Sequence, residues 1–583
     1  MKEKLNKSIK LIILIILNFL LLSCQPGQEP INNQKLTFCN PVNISYRFGL
    51  DEPSRREAAD PTVVSYRDEY YLFASKSGGY WYSGNLVDWN FVETQDIPTE
   101  DYAPTVIAIN DTLYFLASAA TKNNTIYKTA EPKSGRWTIA KEELDIPVWD
   151  PAFFLDCDNR LYLYWGCSNN APIYGVELNF KDNFSFIGEP KELIFSNKEK
   201  YGWEVRGDYN KLVNTEPWIE GAWMNKYKGK YYLQYSGPGT QFKSYADGVY
   251  ISDNPLGPYK PQKHNPFAYK PEGFAAGAGH GSTLTDQYGN YWHFGTISIS
   301  QKHRFERRLG LFPSYFDENG TLYSITKYGD YPLIIPQKKV STFDDIFSGW
   351  MLLSYGKRVE VSSSVDSLQA LNINDEDIRT YWSARSGKSG EFAILDLGNL
   401  YNVNALQVNF AEHNTNLFGR TENLYHRYII EYSLDNITWK MLIDKSKNEN
   451  DNTHNYFPLG NQVSCRYLKI TNIKVPSGNF ALSGFRIFGK GDGYVPDKID
   501  KLIVKRNPQD KRSVNLKWKK TKGAIGYNIS YGVDKNKLYH NYMVYEDTSI
   551  NINTLNTDLV YYFTIEAFNE NGIASNNIII KVE

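Results

Sequence analysis

The sequence predicts an all-β chain: a five-bladed β-propeller followed by two β-sandwich domains. Three observations carry this reading. Aromatic residues make up 15% of the 583 positions, with 44 Tyr and 13 Trp, an enrichment that suits pleated, half-buried strands. A strand–turn–strand unit recurs five times before residue 300. Beyond residue 350, short alternating stretches continue to the end of the chain. The length calls for two to four domains. The formal net charge is −1 with no long run of one sign, which argues against a nucleic-acid partner, since that would need a basic face.

The stretch from Met1 to Cys24 reads as a targeting segment. Lys2, Lys4, Lys7 and Lys10 form a basic start, and residues 11–22 form an apolar stretch too short for a comfortable membrane span. The ending Leu21-Leu22-Ser23-Cys24 resembles a bacterial lipobox, which implies cleavage and lipidation at Cys24. Residues 25–37, polar with Pro26, Gly27 and Pro30, then read as a tether. The resemblance places the protein in the cell envelope of a bacterium, at the outer-membrane surface or in the periplasm, with membrane contact through the lipid alone. The other cysteines, Cys39, Cys157, Cys167 and Cys465, show no metal-ligand spacing. Cys157 and Cys167 flank a hairpin and could pair or remain free thiols.

The propeller, residues 38–345, follows from the repeat. Five strands share a pattern: Tyr70-Tyr71-Leu72-Phe73, Leu113-Tyr114-Phe115-Leu116, Leu161-Tyr162-Leu163-Tyr164, Tyr231-Tyr232-Leu233-Gln234 and Tyr291-Trp292-His293-Phe294. Each follows a polar turn, and each turn follows another strand-like stretch. This is a hairpin signal, and its recurrence along the chain from Tyr70 to Phe294 marks the blades of a propeller.

Ten or eleven residues upstream of each pattern stand Asp60, Ala103, Asp150, Glu220 and His280. The first strand of a propeller blade lines the central channel, so equivalent positions on different blades converge on one axis. Three carboxylates and a histidine would thus meet in one cup, although Asp60 and His280 stand far apart along the chain. One Asp-Pro alone is usually a turn device. Three acids in register, with Ala103 showing that the position demands no acid, need another explanation.

These residues resemble glycoside hydrolase family 43, a family of five-bladed propellers. The resemblance rests on Ala59-Asp60-Pro61, Trp149-Asp150-Pro151-Ala152, Glu220-Gly221-Ala222-Trp223, Asp247-Gly248-Val249 through Pro258-Tyr259, and Gly279-His280-Gly281-Ser282, across about residues 38–340. It implies that Asp60 is the general base that activates water and Glu220 the general acid. It makes Asp150 the residue that orients Glu220 and raises its pKa. Inversion would follow, with the two working carboxyl groups roughly 6.5–9.5 Å apart. The resemblance makes His280 a channel orienter. No cofactor is required, and there is room for a structural calcium ion, although histidine is a poor ligand for that hard cation. Arg307 or Arg308 would reach the sugar or Asp150, the other lying at the surface as a solvated charge. Trp149, Trp218 and Trp223 neighbour the acids and are candidates for stacking on sugar. Glu216 competes with Glu220 but lies outside the register, and Phe242 and Tyr245 are weaker stacking candidates.

Residues 350–490 resemble a discoidin-like (factor V/VIII C-type) module through Thr380-Tyr381-Trp382-Ser383, Ile394-Leu395-Asp396-Leu397-Gly398, Arg466-Tyr467-Leu468-Lys469-Ile470 and Phe485-Arg486-Ile487-Phe488-Gly489. Residues 495–583 read as a fibronectin type III-like sandwich, with Leu516, Trp518, Tyr527, Ile529 and Tyr531 on alternating strands. The expected whole is an inverting glycosidase acting on plant or algal polysaccharide fragments. Exo-acting α-L-arabinofuranosidase or β-xylosidase chemistry leads, ahead of a galactan-directed enzyme or a non-catalytic carbohydrate-binding lipoprotein. The charged segment 180–215 is expected to wall the pocket.

Overall fold

The computed structural model describes residues 35–119 and 123–583. Cys24, the targeting segment and nearly all of the tether lie outside the described residues. Among those described, no helix is long and apolar enough to cross a membrane.

Five antiparallel sheets arise in chain order, with strands added sequentially outward in each. Their first strands are Ala59–Tyr66, Thr105–Ile109, Ala152–Leu155, Glu220–Tyr227 and Gly279–Thr285. Each first strand packs against that of the next blade, and the fifth returns to the first. The tight turns supply the hairpins. Arg67-Asp68, Asn110-Asp111 and Lys228-Gly229 all adopt positive φ at both positions, the twist that two-residue hairpin loops need. Aromatics pack within and between blades: Phe73 stacks on Tyr80 of the same blade with centroids 4.6 Å apart, and Trp137 of the second blade meets both rings edge-on. Thr37–Phe38 pairs with Leu333–Ile334 and ties the start of the domain to its end.

Two further β units follow. An eight-stranded sheet is built on the long strands Phe392–Phe410, His454–Lys474 and Ala481–Lys490. After it, a three-stranded sheet containing Val514–Trp518 faces a five-stranded one containing Gly526–Gly532 and Tyr561–Asn569.

Both units bind the propeller through buried polar contacts. Arg486 donates to Glu376 at 2.9 and 2.8 Å and to the backbone oxygen of Asp330 at 2.7 Å. Tyr539 of the last unit stacks on Tyr323 of blade 5 with centroids 3.8 Å apart. A shared apolar core runs from Trp203 and Tyr235 of the propeller to Leu516 and Phe563. The segment expected to wall the pocket serves this junction instead. Ser185–Ile194 is the outer strand of blade 3. Gly202 N–H then bonds Leu555 O at 3.0 Å, and Thr557 N–H bonds Lys200 O at 3.0 Å. Backbone groups left over after the blade closes are satisfied by the neighbouring sandwich rather than by solvent.

Candidate active site

The cup begins with a backbone device. Asp60, Ala103, Asp150 and His280 all have φ between 45° and 53°, and each stands two residues before the strand position that pairs with the last residue of the repeat pattern: Thr62 with Phe73, Thr105 with Leu116, Ala152 with Tyr164 and Ser282 with Phe294. This left-handed conformation is costly for most side chains and tolerated by Asp, Asn and His. Backbone strain therefore accounts for part of the preference for Asp, yet Ala103 accepts the same strain without an acid.

Blade 4 departs from the expected register. Trp223 pairs with Gln234, so the equivalent position is Gly221, with φ 63°. A Cβ there would stand 2.6 Å from Ser236 Oγ and 2.8 Å from the His280 ring. The acid is thus carried one residue earlier, on Glu220.

A ring of hydroxyls braces the strained turns. Ser75 accepts the backbone N–H of Ala103 at 2.7 Å, Ser118 that of Asp150 at 2.8 Å, Ser236 that of His280 at 2.6 Å and Thr296 that of Asp60 at 2.9 Å. Each hydroxyl lies two residues beyond the repeat pattern of its blade, a spacing visible in the sequence. Blade 3 has Gly166 at that position.

The turns enclose a cavity of about 220 Å³ lined by Asp60, Asp150, Glu220, His280 and Arg307, with Trp149, Tyr102 and Phe305 as aromatic walls. Ser118 Oγ donates to Asp150 Oδ1 at 3.1 Å. His280 Nδ1 lies 3.4 Å from Asp60 and 3.7 Å from Asp150. Ser75 donates to Asp60 Oδ2 at 2.5 Å, and Arg307 Nη1 donates to both Asp60 oxygens at 3.0 and 3.1 Å. Tyr245 donates to Glu220 Oε1 at 2.5 Å, and Cys167 Sγ faces Oε2 at 3.3 Å. Below, Asp247 accepts the backbone N–H groups of His280 and Gly281 at 2.9 and 3.0 Å.

The electrostatics separate the acids. Burial works against charge on Asp60, but Arg307, His280 and Ser75 outweigh it and hold this carboxyl below its ordinary value. Burial pushes Asp150 up to about 7; Glu220 and Asp60 add to the push, and His280 opposes it. On His280, burial is outweighed by Asp60, Asp150, Glu220 and Asp247, so its pKa rises. One carboxylate is kept ionised and a proton is kept beside Glu220.

Several expected site residues lie elsewhere. Arg308 is neither at the cavity nor solvated: it is buried, donating to His454 Nε2 at 3.0 Å and Arg56 O at 2.6 Å. Successive residues on a strand point to opposite faces, so Arg307 facing the cup sends Arg308 to the eight-stranded unit. Arg307 bonds Asp60 rather than Asp150. Trp223 donates to Thr283 O at 3.2 Å and packs between blades 4 and 5. Trp218 stands behind the wall, its Nε1 3.0 Å from Cys167 Sγ. Glu216 pairs with Lys198 at 2.6 Å. Tyr245, a stacking candidate in the sequence, is instead buried against Glu220. Cys157 and Cys167 are both free.

Residues 54–322 match the family model for glycosyl hydrolases family 43, and residues 358–484 match that for the F5/8 type C domain. The chain is similar to a beta-xylosidase of Xylanibacter ruminicola, 28% identical over 151 residues, and to a xylosidase/arabinosidase of Bacteroides ovatus, 28% identical over 154 residues; each match covers 22% of this chain and 41% of the relative. A beta-D-galactofuranosidase of Aspergillus niger is 26% identical over 179 residues, 30% of this chain and 45% of its own length. The chain thus spans less than half the length of these curated relatives. Among solved structures, a glycoside hydrolase is 18% identical with a TM-score of 0.44, covering 74% of this chain and 97% of its own. A thermostable family-43 glycoside hydrolase is 21% identical with a TM-score of 0.41, covering 52% and 100%.

Proposed function

We propose that the cup hydrolyses glycosidic bonds with inversion, in plant or algal polysaccharide fragments. The carrying observation is that one cavity holds a carboxylate kept ionised, Asp60, and a carboxyl pushed up to about 7, Asp150, beside Glu220. Titratable groups driven apart by their surroundings mark a site for acid–base chemistry. Asp60 takes a proton from water as it attacks the anomeric carbon. Glu220, aimed by Tyr245 and Cys167, gives a proton to the departing oxygen. Asp150 keeps that proton available, and Trp149 offers its ring to the sugar.

The match to family 43 and the names of the relatives support exo-acting α-L-arabinofuranosidase or β-xylosidase chemistry, with a furanosidic galactose linkage next in line. The small volume of the cavity, about 220 Å³, supports removal of a terminal sugar. A calcium ion beside His280 would find oxygens already engaged: Asp60 with Arg307 and Ser75, and Asp247 with Ser236 and two backbone N–H groups. The donor set does not fit that ion, so the mechanism runs without it. The last unit is a fibronectin type III-like spacer in this reading, and Cys24 carries a lipid in the bacterial envelope, which labelling with palmitate and its loss in Cys24→Ser would test.

The deciding experiment is hydrolysis of aryl and natural arabinosides, xylosides and galactosides by wild type and Glu220→Gln. Loss of about 10²–10⁴-fold on the natural substrates, with a smaller loss where the leaving group needs no acid, is expected. Binding without cleavage by the wild type would make this a carbohydrate-binding protein.

A further inference from the structure

The far side of Arg307 holds a second carboxylate, Glu57, three residues before Asp60 and pointing away from the cavity. Glu57 Oε1 accepts from Arg307 Nη2 at 2.7 Å and Nε at 3.3 Å. Its other oxygen has no hydrogen-bond partner and faces Arg55 at 3.6 Å. Arg55, itself fully buried, reaches the exposed Asp51 at 3.2 Å. Charges therefore alternate from solvent to the cup: Asp51, Arg55, Glu57, Arg307, Asp60. A lone buried ion pair would not need this extension, since Arg307 could spend its whole fork on Asp60.

We propose that Glu57 is a positioning residue for the general base: it holds Arg307 by Nε and Nη2, so that only Nη1 is presented to Asp60. This rests on the reading of Asp60 as the base. A bidentate grip of both terminal nitrogens would bind the Asp60 carboxylate tightly and weaken it as a proton acceptor. Dividing the guanidinium between two acids leaves Asp60 ionised yet able to take a proton from water. The other groups facing Asp60 are His280, Asp150, Tyr102 and Tyr245; those facing Glu57 are Arg55, Arg307 and Tyr102; His303 faces Arg55. Consistently, Glu57 is raised chiefly by burial, against the pull of Arg307 and Arg55, with Asp60 adding to the rise.

The test is the pH profile of kcat/KM for Glu57→Gln and Glu57→Asp on the best substrate of the panel. Removing the charge should move the acidic limb to lower pH and lower the plateau about three- to tenfold, the penalty of a weaker base. Glu57→Asp, which keeps the charge on a shorter arm, should lie between Glu57→Gln and wild type, and serves where the amide disturbs folding. An unchanged limb, or one moved to higher pH because Arg307 has left Asp60, overturns the proposal. The Asp60 carboxyl can also be titrated directly by ¹³C-aspartate NMR, assigned with Asp60→Asn. That measurement needs no turnover. A wild type that cleaves nothing sinks the hydrolase reading, while a titration of Asp60 indifferent to Glu57→Gln sinks this one.

Discussion

Thr296 Oγ1 accepts the backbone N–H of Asp60 at 2.9 Å, a bond that carries the last blade onto the first at the residue read as the base. It is one of four equivalent bonds, but the only one that crosses the closure of the ring. Thr296→Val keeps the shape and strands a buried N–H, which costs about 1–3 kcal/mol. Lower melting temperature and reduced kcat are expected together. Thr296→Ser should restore both, and a Val variant as active and as stable as wild type would show the bond to be dispensable.

The pH dependence follows from the separated acids. Asp60 must be ionised, so activity should fall on the acid side only below the ordinary aspartate value, because Arg307 and His280 outweigh its burial. Asp150 must keep its proton beside Glu220, so the alkaline limb should lie near pH 7.

The same shift has a sign for stability. Asp150 binds its proton more tightly folded than unfolded. Its contribution is therefore full below the ordinary aspartate value and lost as pH rises through about 7. Asp150→Asn should melt several degrees above wild type at pH 8 and close to it at pH 4, while losing activity at both. Equal melting temperatures at pH 8 would contradict the raised value.

Gly221 is predicted to be irreplaceable. Its φ of 63° and the 2.8 Å approach of a Cβ to the His280 ring act together, so Gly221→Ala should cost about 1–3 kcal/mol and displace His280 from Asp60 and Asp150. A variant with wild-type kcat and melting temperature would count against this.

Arg308 and Arg307 are neighbours with different work. Arg308→Met removes bonds to His454 and Arg56 at the junction with the eight-stranded unit, so it should lower the melting temperature and leave KM alone. Arg307→Met, at the cavity, should depress kcat at every pH. A raised KM in Arg308→Met would return that residue to the sugar.

The sequence by itself determined the local structure. Alternation and two-residue turns are properties of a strand and its hairpin, so the five units, the positions of Asp60, Asp150 and His280, and the strand-rich tail were readable without a fold. What lay beyond was decided by packing between distant segments. Glu220 stands one residue out of register because Ser236 on the neighbouring strand and His280 from the next blade leave no room for a Cβ at Gly221. Arg308 and Trp223 looked like Arg307 and Trp149 in sequence, but strand polarity and the neighbouring blades turned them away from the cavity. Segment 180–215 found the sandwich around Leu555 and Thr557, far along the chain, to satisfy its backbone. Side-chain direction across a ring is a tertiary quantity, set by which surfaces close on each other, and no local pattern carries it.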